Sequence, residues 1–167
     1  ELIKNYMKTK FAIGCLVQWY ECDIIGEYVD SLKDAVSAYD GEVQLDFTIV
    51  TNEDLEKCID DVHKKACIDK IEYLLMKNLF PYRLTDKLHT IASYRRGFND
   101  DYCDEVDVLI WGESDAILPK QMFTVLDNLH QMSIQNNNPK YLAFFGTCKM
   151  WDDSWLPIEH NDFTDKP

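Results

Sequence analysis

The sequence lacks the features that mark membrane-spanning and secreted proteins. No stretch approaches the roughly 20 consecutive apolar residues of a transmembrane helix, and no signal peptide is visible. The six cysteines include no C-x-x-C pair, so we expect no zinc site and interpret them as buried apolar groups or exposed thiols. Together these absences predict a cytoplasmic protein with no membrane span.

Positive charge is also scarce. The chain has 17 Lys and Arg against 30 Asp and Glu, which gives a formal net charge of −13 spread along the sequence. Such a surface repels nucleic-acid phosphates at long range, so we expect no direct electrostatic binding to nucleic acid. Apolar residues make up 46% and aromatic residues 13%, which excludes a disordered chain.

The length of 167 residues suits one domain of ordinary size, and the chain shows neither an internal repeat nor a linker. It begins at Glu1 without a methionine and ends at Pro167. We therefore expect residues 1–167 to form a single domain, cut from a longer chain at its C-terminal end.

Strand and helix patterns alternate along the chain. Short apolar runs predict strands at 11–17, 45–50, 106–111 and 141–145. Apolar residues at helical spacing predict helices at 24–38, at 55–62, from Thr85 to about Gly97, and from Pro119 onward. The stretch 64–80 fits either a helix or a short strand. This alternation predicts a three-layer, Rossmann-like α/β fold with a mainly parallel central sheet.

Polar side chains follow three of the predicted strands, at 18–21, 51–53 and 112–115. In parallel sheets, ligands bind beyond the carboxyl ends of the strands, so we expect the site there. Glu113 and Asp115 are spaced i, i+2, which places both carboxylates on one side if the extended backbone continues past Gly112. Such a pair can hold a hard divalent cation together with the phosphates of a ligand.

These residues resemble a known family. The opening strand leads into Tyr28-Val29-Asp30-Ser31-Leu32, and Thr51-Asn52 follows the second strand. An arginine-bearing helix over Ser93–Asn99 then precedes Glu113-Ser114-Asp115. In this order the segments resemble a GT-A fold glycosyltransferase of the broad family-2 type over about residues 10–155. The motif departs from the family's D-x-D, because its first acid is Glu.

The resemblance implies a glycosyltransferase that moves a sugar from a nucleotide-diphosphate donor, UDP-linked, onto an acceptor hydroxyl with the help of Mn²⁺ or Mg²⁺. The metal ligands it implies are Glu113, Asp115 and His160. The implied contacts to the nucleotide sugar are Gln18, Trp19, Tyr20, Glu21, Asn52, Asp86, Arg95, Arg96 and Ser114. The implied general base, which deprotonates the acceptor, is Asp152 or Asp153.

Two other functions stay open. A sugar-nucleotidyltransferase shares the fold style, but it usually carries a basic, glycine-rich loop after the first strand, and Gln18–Glu21 is neither basic nor glycine-rich. A non-enzymatic, acidic α/β interaction module would instead use the strand-end acids as ordinary surface groups. In that case Arg95 and Arg96 form surface ion pairs, and Trp19 and Tyr20 close the core.

Overall fold

A parallel sheet lies at the centre of the chain. The computed structural model describes residues 7–52, 61–87, 89–138 and 140–143, and the backbone of 149–151 and 157–159. The strands of the sheet are β1 (Phe11–Gln18), β2 (Val43–Val50), β3 (Tyr82–Thr85) and β4 (Val108–Gly112). All pairings are parallel, and the spatial order is β3-β2-β1-β4. The predicted α/β fold with a parallel central sheet is confirmed.

Helices cover both faces of this sheet. They are α1 (Ile25–Ser37), α2 (Asp61–Lys77), α3 (Ile91–Tyr102) and α4 (Met122–Gln135), with a single 3₁₀ turn at Trp19–Glu21. The ambiguous stretch 64–80 is therefore helical over most of its length. Two further strands, β5 (Lys149–Trp151) and β6 (Pro157–Glu159), pair as an antiparallel hairpin. Within the described residues, no helix has both the length and the apolar character needed to cross a bilayer.

The two faces of β1 differ in the size of their side chains. Phe11, Ile13 and Val17 are fully buried in the main core, which they share with α1, α2 and α4. On the opposite face, Ala12 packs against Tyr94 and other residues of α3 in a smaller cluster. Because side chains alternate along a strand, one continuous apolar run supplies both layers of packing.

Gly14 allows α3 to lie close to the sheet. A Cβ atom at this position would stand 2.7 Å from the ring of Phe98 and 2.8 Å from the hydroxyl of Tyr94. Both of these aromatic side chains are buried. Glycine is therefore required here by the close approach of the helix and not by an unusual backbone conformation.

The order of the strands reverses at β1. The chain passes from β1 to β2 to β3 in one direction and then returns to place β4 on the other side of β1. The helix before β4, α3, lies on the face opposite to α1 and α2. A crevice opens at such a reversal beyond the carboxyl ends of the strands, and it is the usual ligand site of open α/β sheets.

The predicted helix from Thr85 to about Gly97 is wrong at both ends. Thr85 is the last residue of β3, and the helix begins at Ile91. Its N-cap is Thr90, whose hydroxyl oxygen accepts a hydrogen bond from the backbone N–H of Ser93 at 3.0 Å. The helix then continues through Gly97, where a glycine in an otherwise regular helix does not end it.

Three other boundaries also differ from prediction. The strand predicted at 106–111 spans Val108–Gly112, and the helix predicted from Pro119 begins at Met122. Residues 141–143 do not form the predicted strand, and 144–145 lie outside the described residues. The strands predicted at 11–17 and 45–50 and the helix predicted at 24–38 are confirmed to within two residues.

We expect Gly14→Ala to destabilise the protein by about 1–3 kcal/mol, because the added methyl group overpacks the contact between β1 and α3. The matched control is Gly97→Ala, since a Cβ atom at Gly97 meets no described atom within 4 Å. Alanine is more favourable than glycine in a helix interior, so the free energy of unfolding of Gly97→Ala should rise by about 1 kcal/mol. Urea unfolding of both variants measures the difference, and equal stabilities would contradict the close packing at Gly14.

Candidate functional site

A crevice of about 180 Å³ lies between β1 and β4, at the point where the strand order reverses. We call it the first crevice. It is lined by Gly14, Leu16, Gln18, Tyr20, Glu21, Ile91, Tyr94, Arg95, Trp111, Gly112, Glu113 and Ser114. Six predicted site residues therefore line the same cavity. Five are predicted contacts to the nucleotide sugar (Gln18, Tyr20, Glu21, Arg95 and Ser114), and one is a predicted metal ligand, Glu113.

The backbone turns directly after β4. The strand ends at Gly112, and the N–H of Ala116 donates to the carbonyl oxygen of Glu113 at 3.0 Å. The condition under which strand alternation would place Glu113 and Asp115 on one side, an extended backbone past Gly112, is therefore not met. In this turn the side chain of Ser114 is buried, while Glu113 and Asp115 are exposed.

Arg95 reaches the first crevice from α3. Its guanidinium group forms an ion pair with the carboxylate of Glu113, and it stacks on Trp111 with 4.9 Å between the guanidinium carbon and the ring centroid. The indole N–H of Trp111 donates in turn to the side-chain oxygen of Asn99 at 3.0 Å. These contacts hold the guanidinium at the mouth of the crevice.

Trp111 and Asn99 are absent from the residues predicted for the site. Two signals in the sequence point to them. Arg95 and Asn99 are four residues apart on one helix, which places them on one face. Trp111 shares a face of β4 with Leu109, which packs against α3.

Glu21 brings a second carboxylate to the crevice beside Glu113, while Asp115 lies nearby and does not line it. One of its oxygens accepts a hydrogen bond from the backbone N–H of Gln18 at 2.7 Å. Burial raises the pKa of Glu21, and the negative charges of Asp115 and Glu113 raise it further. The hydrogen bonds from Gln18 and from the hydroxyl of Ser114 oppose this rise in pKa.

Glu113 is subject to the same conflict. Partial burial raises its pKa, the positive charge of Arg95 opposes the rise, and the negative charge of Asp115 adds to it. The crevice therefore concentrates negative charge that is only partly balanced by Arg95. A bound cation would relieve this repulsion.

The remaining predicted contacts are distributed around this crevice. The ring of Trp19 is buried in the main core, and it does not line the crevice. Asn52 follows β2, and its buried side-chain oxygen has no hydrogen-bond partner among the residues that the structure describes. Arg96 is exposed and lines neither described crevice, whereas Asp86 lines a neighbouring one.

Three predicted residues lie outside the described part of the chain: Asp152, Asp153 and His160. Their predicted roles as general base and as metal ligand therefore stay predictions.

The donor set in the first crevice suits a hard cation. In the described part of the chain, no three His, Cys, Asp or Glu side chains are grouped so as to hold a metal ion on their own. Mg²⁺ and similar cations commonly bind to one or two carboxylates and complete their shell with water and substrate phosphates. Asp115 and Glu113 fit that arrangement, with Glu113 shared between the cation and Arg95.

A comparison of the sequence with protein-family models finds no match. A search of curated proteins finds no significant match either. The function of the crevice must therefore be argued from its own residues.

We expect Arg95→Gln to raise the pKa of Glu113, because the substitution removes the positive charge that opposes the rise. The ion pair is partly exposed, so the loss of stability should stay below about 1 kcal/mol. Carboxyl ¹³C chemical shifts followed through a pH titration report the pKa directly. Lys33→Gln, on the exposed side of α1, is the control. An unchanged titration of Glu113 would contradict the pairing.

Proposed function

We propose that this protein is a glycosyltransferase that uses a divalent metal and a nucleotide-diphosphate sugar, UDP-linked, and transfers the sugar to an acceptor hydroxyl. The observation that carries the proposal is the position of the Glu113–Asp115 turn. It follows β4, which pairs with β1 at the point where the sheet order reverses. The hydroxyl of Ser114 in this turn hydrogen-bonds to Glu21, and Arg95 from α3 contacts Glu113. Anionic groups of a ligand bind at this edge in open α/β sheets.

The leaving group determines which residues the reaction needs. Transfer of the sugar releases a nucleoside diphosphate, whose developing negative charge must be stabilised. A metal ion held by Asp115 and Glu113 would supply that stabilisation as a Lewis acid. Arg95 adds charge-assisted hydrogen bonds to the diphosphate. Because the guanidinium is already stacked on Trp111, it loses less conformational freedom when the diphosphate binds.

An unsatisfied polar atom supports binding of the nucleoside. The side-chain oxygen of Asn52 is buried and has no hydrogen-bond partner in the described residues, whereas the side chain of Gln18 caps the 3₁₀ turn by accepting from the backbone of Glu21. Such atoms are unusual, because an unpaired buried acceptor costs free energy that a ligand N–H or O–H can recover. Gln18 ends β1 and Asn52 lies just beyond the end of the neighbouring β2. Tyr20, which is 38% exposed, offers a ring on which a base can stack.

The parts of the reaction that involve the acceptor rest on the sequence. Asp152 or Asp153 would deprotonate the acceptor hydroxyl, and His160 would complete the metal shell. The cytoplasmic location also stays a prediction.

Donor binding should raise the thermal stability of the protein in the presence of both Mn²⁺ and a UDP-sugar. At a ligand concentration about 100 times Kd the gain is about 2.7 kcal/mol. We expect Asp115→Asn to abolish the part of this gain that depends on Mn²⁺. Asp30→Asn is the control, because Asp30 is an exposed acid on α1. Differential scanning fluorimetry with a panel of nucleotide sugars, each with and without Mn²⁺, measures both variants.

The outcomes separate the competing functions. Failure of every nucleotide sugar to stabilise the protein would falsify the proposal and favour an interaction module. Stabilisation by a nucleoside triphosphate with a sugar phosphate, without any response to nucleotide sugars, would favour a nucleotidyltransferase. Full Mn²⁺ dependence in Asp115→Asn would place the metal at other residues.

The metal-dependent gain should weaken as the pH falls from about 8 to about 5. Burial raises the pKa of both Glu21 and Glu113, so these groups take up protons at a higher pH than exposed carboxylates do. A protonated carboxyl group binds cations poorly, and the gain is lost as the pH falls through the raised pKa values. Thermal shifts with Mn²⁺ and UDP across this range test the trend.

The stability of the ligand-free protein should change in the opposite direction, so that it rises as the pH falls. When the pKa of an acid is higher in the folded than in the unfolded state, its ionisation destabilises the fold. This penalty disappears as the pH falls through the folded pKa. Glu21→Gln and Glu113→Gln should each reduce both trends. A metal-dependent gain that stays constant over the whole range would contradict the involvement of these two residues.

A further inference from the structure

A second crevice of about 410 Å³ lies beside the first, next to β2 and β3. It is lined by Thr48, Arg83, Leu84, Thr85, Asp86, Lys87, His89 and Tyr94. Tyr94 lines both crevices. Three of the eight lining residues are Arg, Lys or His and only Asp86 is acidic, in a chain whose net charge is −13.

Arg83 is held in place by the buried carboxylate of Asp46. Its Nε–H donates to the hydroxyl oxygen of Thr48 at 2.8 Å, and one terminal nitrogen lies 3.3 Å from the carboxylate of Asp46. The hydroxyl groups of Tyr94 and Tyr102 each donate to the same carboxylate at 3.2 Å. Asp46 is only 8% exposed, so its carboxylate interacts with these neighbours and hardly with solvent.

This network fixes the guanidinium but does not exhaust its donors. An arginine has five N–H groups, and the contacts to Thr48 and Asp46 use two of them. The side chain of Arg83 is 54% exposed, and the described residues offer it no further hydrogen bond. With the hydroxyl of Thr48, which donates to it at 3.5 Å, the buried Asp46 carboxylate has four partners. Burying a carboxylate in this way is a costly means of orienting one exposed cation, unless the cation has a ligand.

The rim of the crevice adds further donors. The side chain of Lys87 makes no ion pair with any described residue, and His89 adds an imidazole ring to the lining. The hydroxyl oxygen of Thr85 accepts from the backbone N–H of Lys87 at 3.2 Å, which leaves the hydroxyl hydrogen to donate. Arg83, Lys87, His89 and Thr85 all line the crevice, and a tetrahedral oxyanion is a ligand that such a set of donors matches.

We propose that the second crevice binds the phosphate group of a small molecule through Arg83, Lys87, His89 and Thr85. A carboxylate has two coplanar oxygens and would leave part of this set unused, whereas a phosphate offers three oxygens in different directions. This site is separate from the first crevice, where we place the nucleotide sugar. Phosphate binding can therefore be tested without Mn²⁺ or a nucleotide sugar.

The test is a titration of the whole chain, at constant ionic strength, with inorganic phosphate, a hexose 6-phosphate and the unphosphorylated hexose. Isothermal calorimetry gives the affinity for each. We expect saturable binding of both phosphates and no binding of the hexose. If the hexose 6-phosphate binds more tightly than inorganic phosphate, the ligand is a phosphorylated small molecule. If the two bind equally, the ligand is free phosphate. Both results support the site. Equal binding of the hexose and its phosphate, or no saturable phosphate binding, overturns it.

Matched substitutions locate the binding. Lys87→Gln should weaken phosphate binding about tenfold, as expected for the loss of one charge-assisted hydrogen bond. Lys33→Gln removes the same charge from the exposed side of α1 and should leave the affinity unchanged. Arg83→Lys should weaken binding at least as much, because lysine cannot contact Asp46 and the ligand together. Equal effects of Lys87→Gln and Lys33→Gln would show that only net charge matters and overturn the proposal.

Discussion

The central strand β1 is the constraint on which the rest of the molecule depends. It is hydrogen-bonded to β2 on one side and to β4 on the other, and its fully buried large apolar side chains all lie on one face. The other face has Ala12 and Gly14, so α3 can approach the sheet closely. Because α3 carries Tyr94 and Arg95, the packing at Gly14 decides where these two side chains lie relative to the strand ends.

The two crevices have opposite electrostatic character within one acidic chain. In the first, Glu21, Glu113 and nearby Asp115 repel one another, and burial raises the pKa of the first two. In the second, the buried charge of Asp46 is neutralised by Arg83 and by hydroxyl donors, so the surface there is basic. A fold that gathers like charges in this way gains stability from a ligand of the opposite charge.

Elements that depend on local pattern are predictable from the sequence. The apolar run of β1 and the helical spacing of α1 each lie within one short window, and both are found. The polar strand ends also predict one edge of the sheet for Gln18, Glu21 and Glu113, and all three line the first crevice. The turn after Gly112 is missed, since strand alternation gives no sign of where the hydrogen bond from Ala116 will end it.

Elements that depend on distant partners are not predictable in this way. The strand β3 has only four residues, and its Arg83 is compensated by Asp46, which lies 37 positions earlier. An aspartate in the middle of β2 likewise reads as a surface residue until Tyr94 and Tyr102 are seen to donate to it. Thr85 resembles an N-cap for the same reason, because nothing local reveals that it pairs with Val50 in the sheet.

The shared wall between the crevices has a thermodynamic consequence. The hydroxyl of Tyr94 is bonded to Asp46, which also holds Arg83, while the same side chain borders the first crevice next to Arg95. A ligand that displaces this ring in one crevice therefore changes the free energy of binding in the other. By linkage the effect is reciprocal: each ligand alters the affinity for the other by the same factor. Tyr94 is thus the side chain through which binding in one crevice would be coupled to binding in the other.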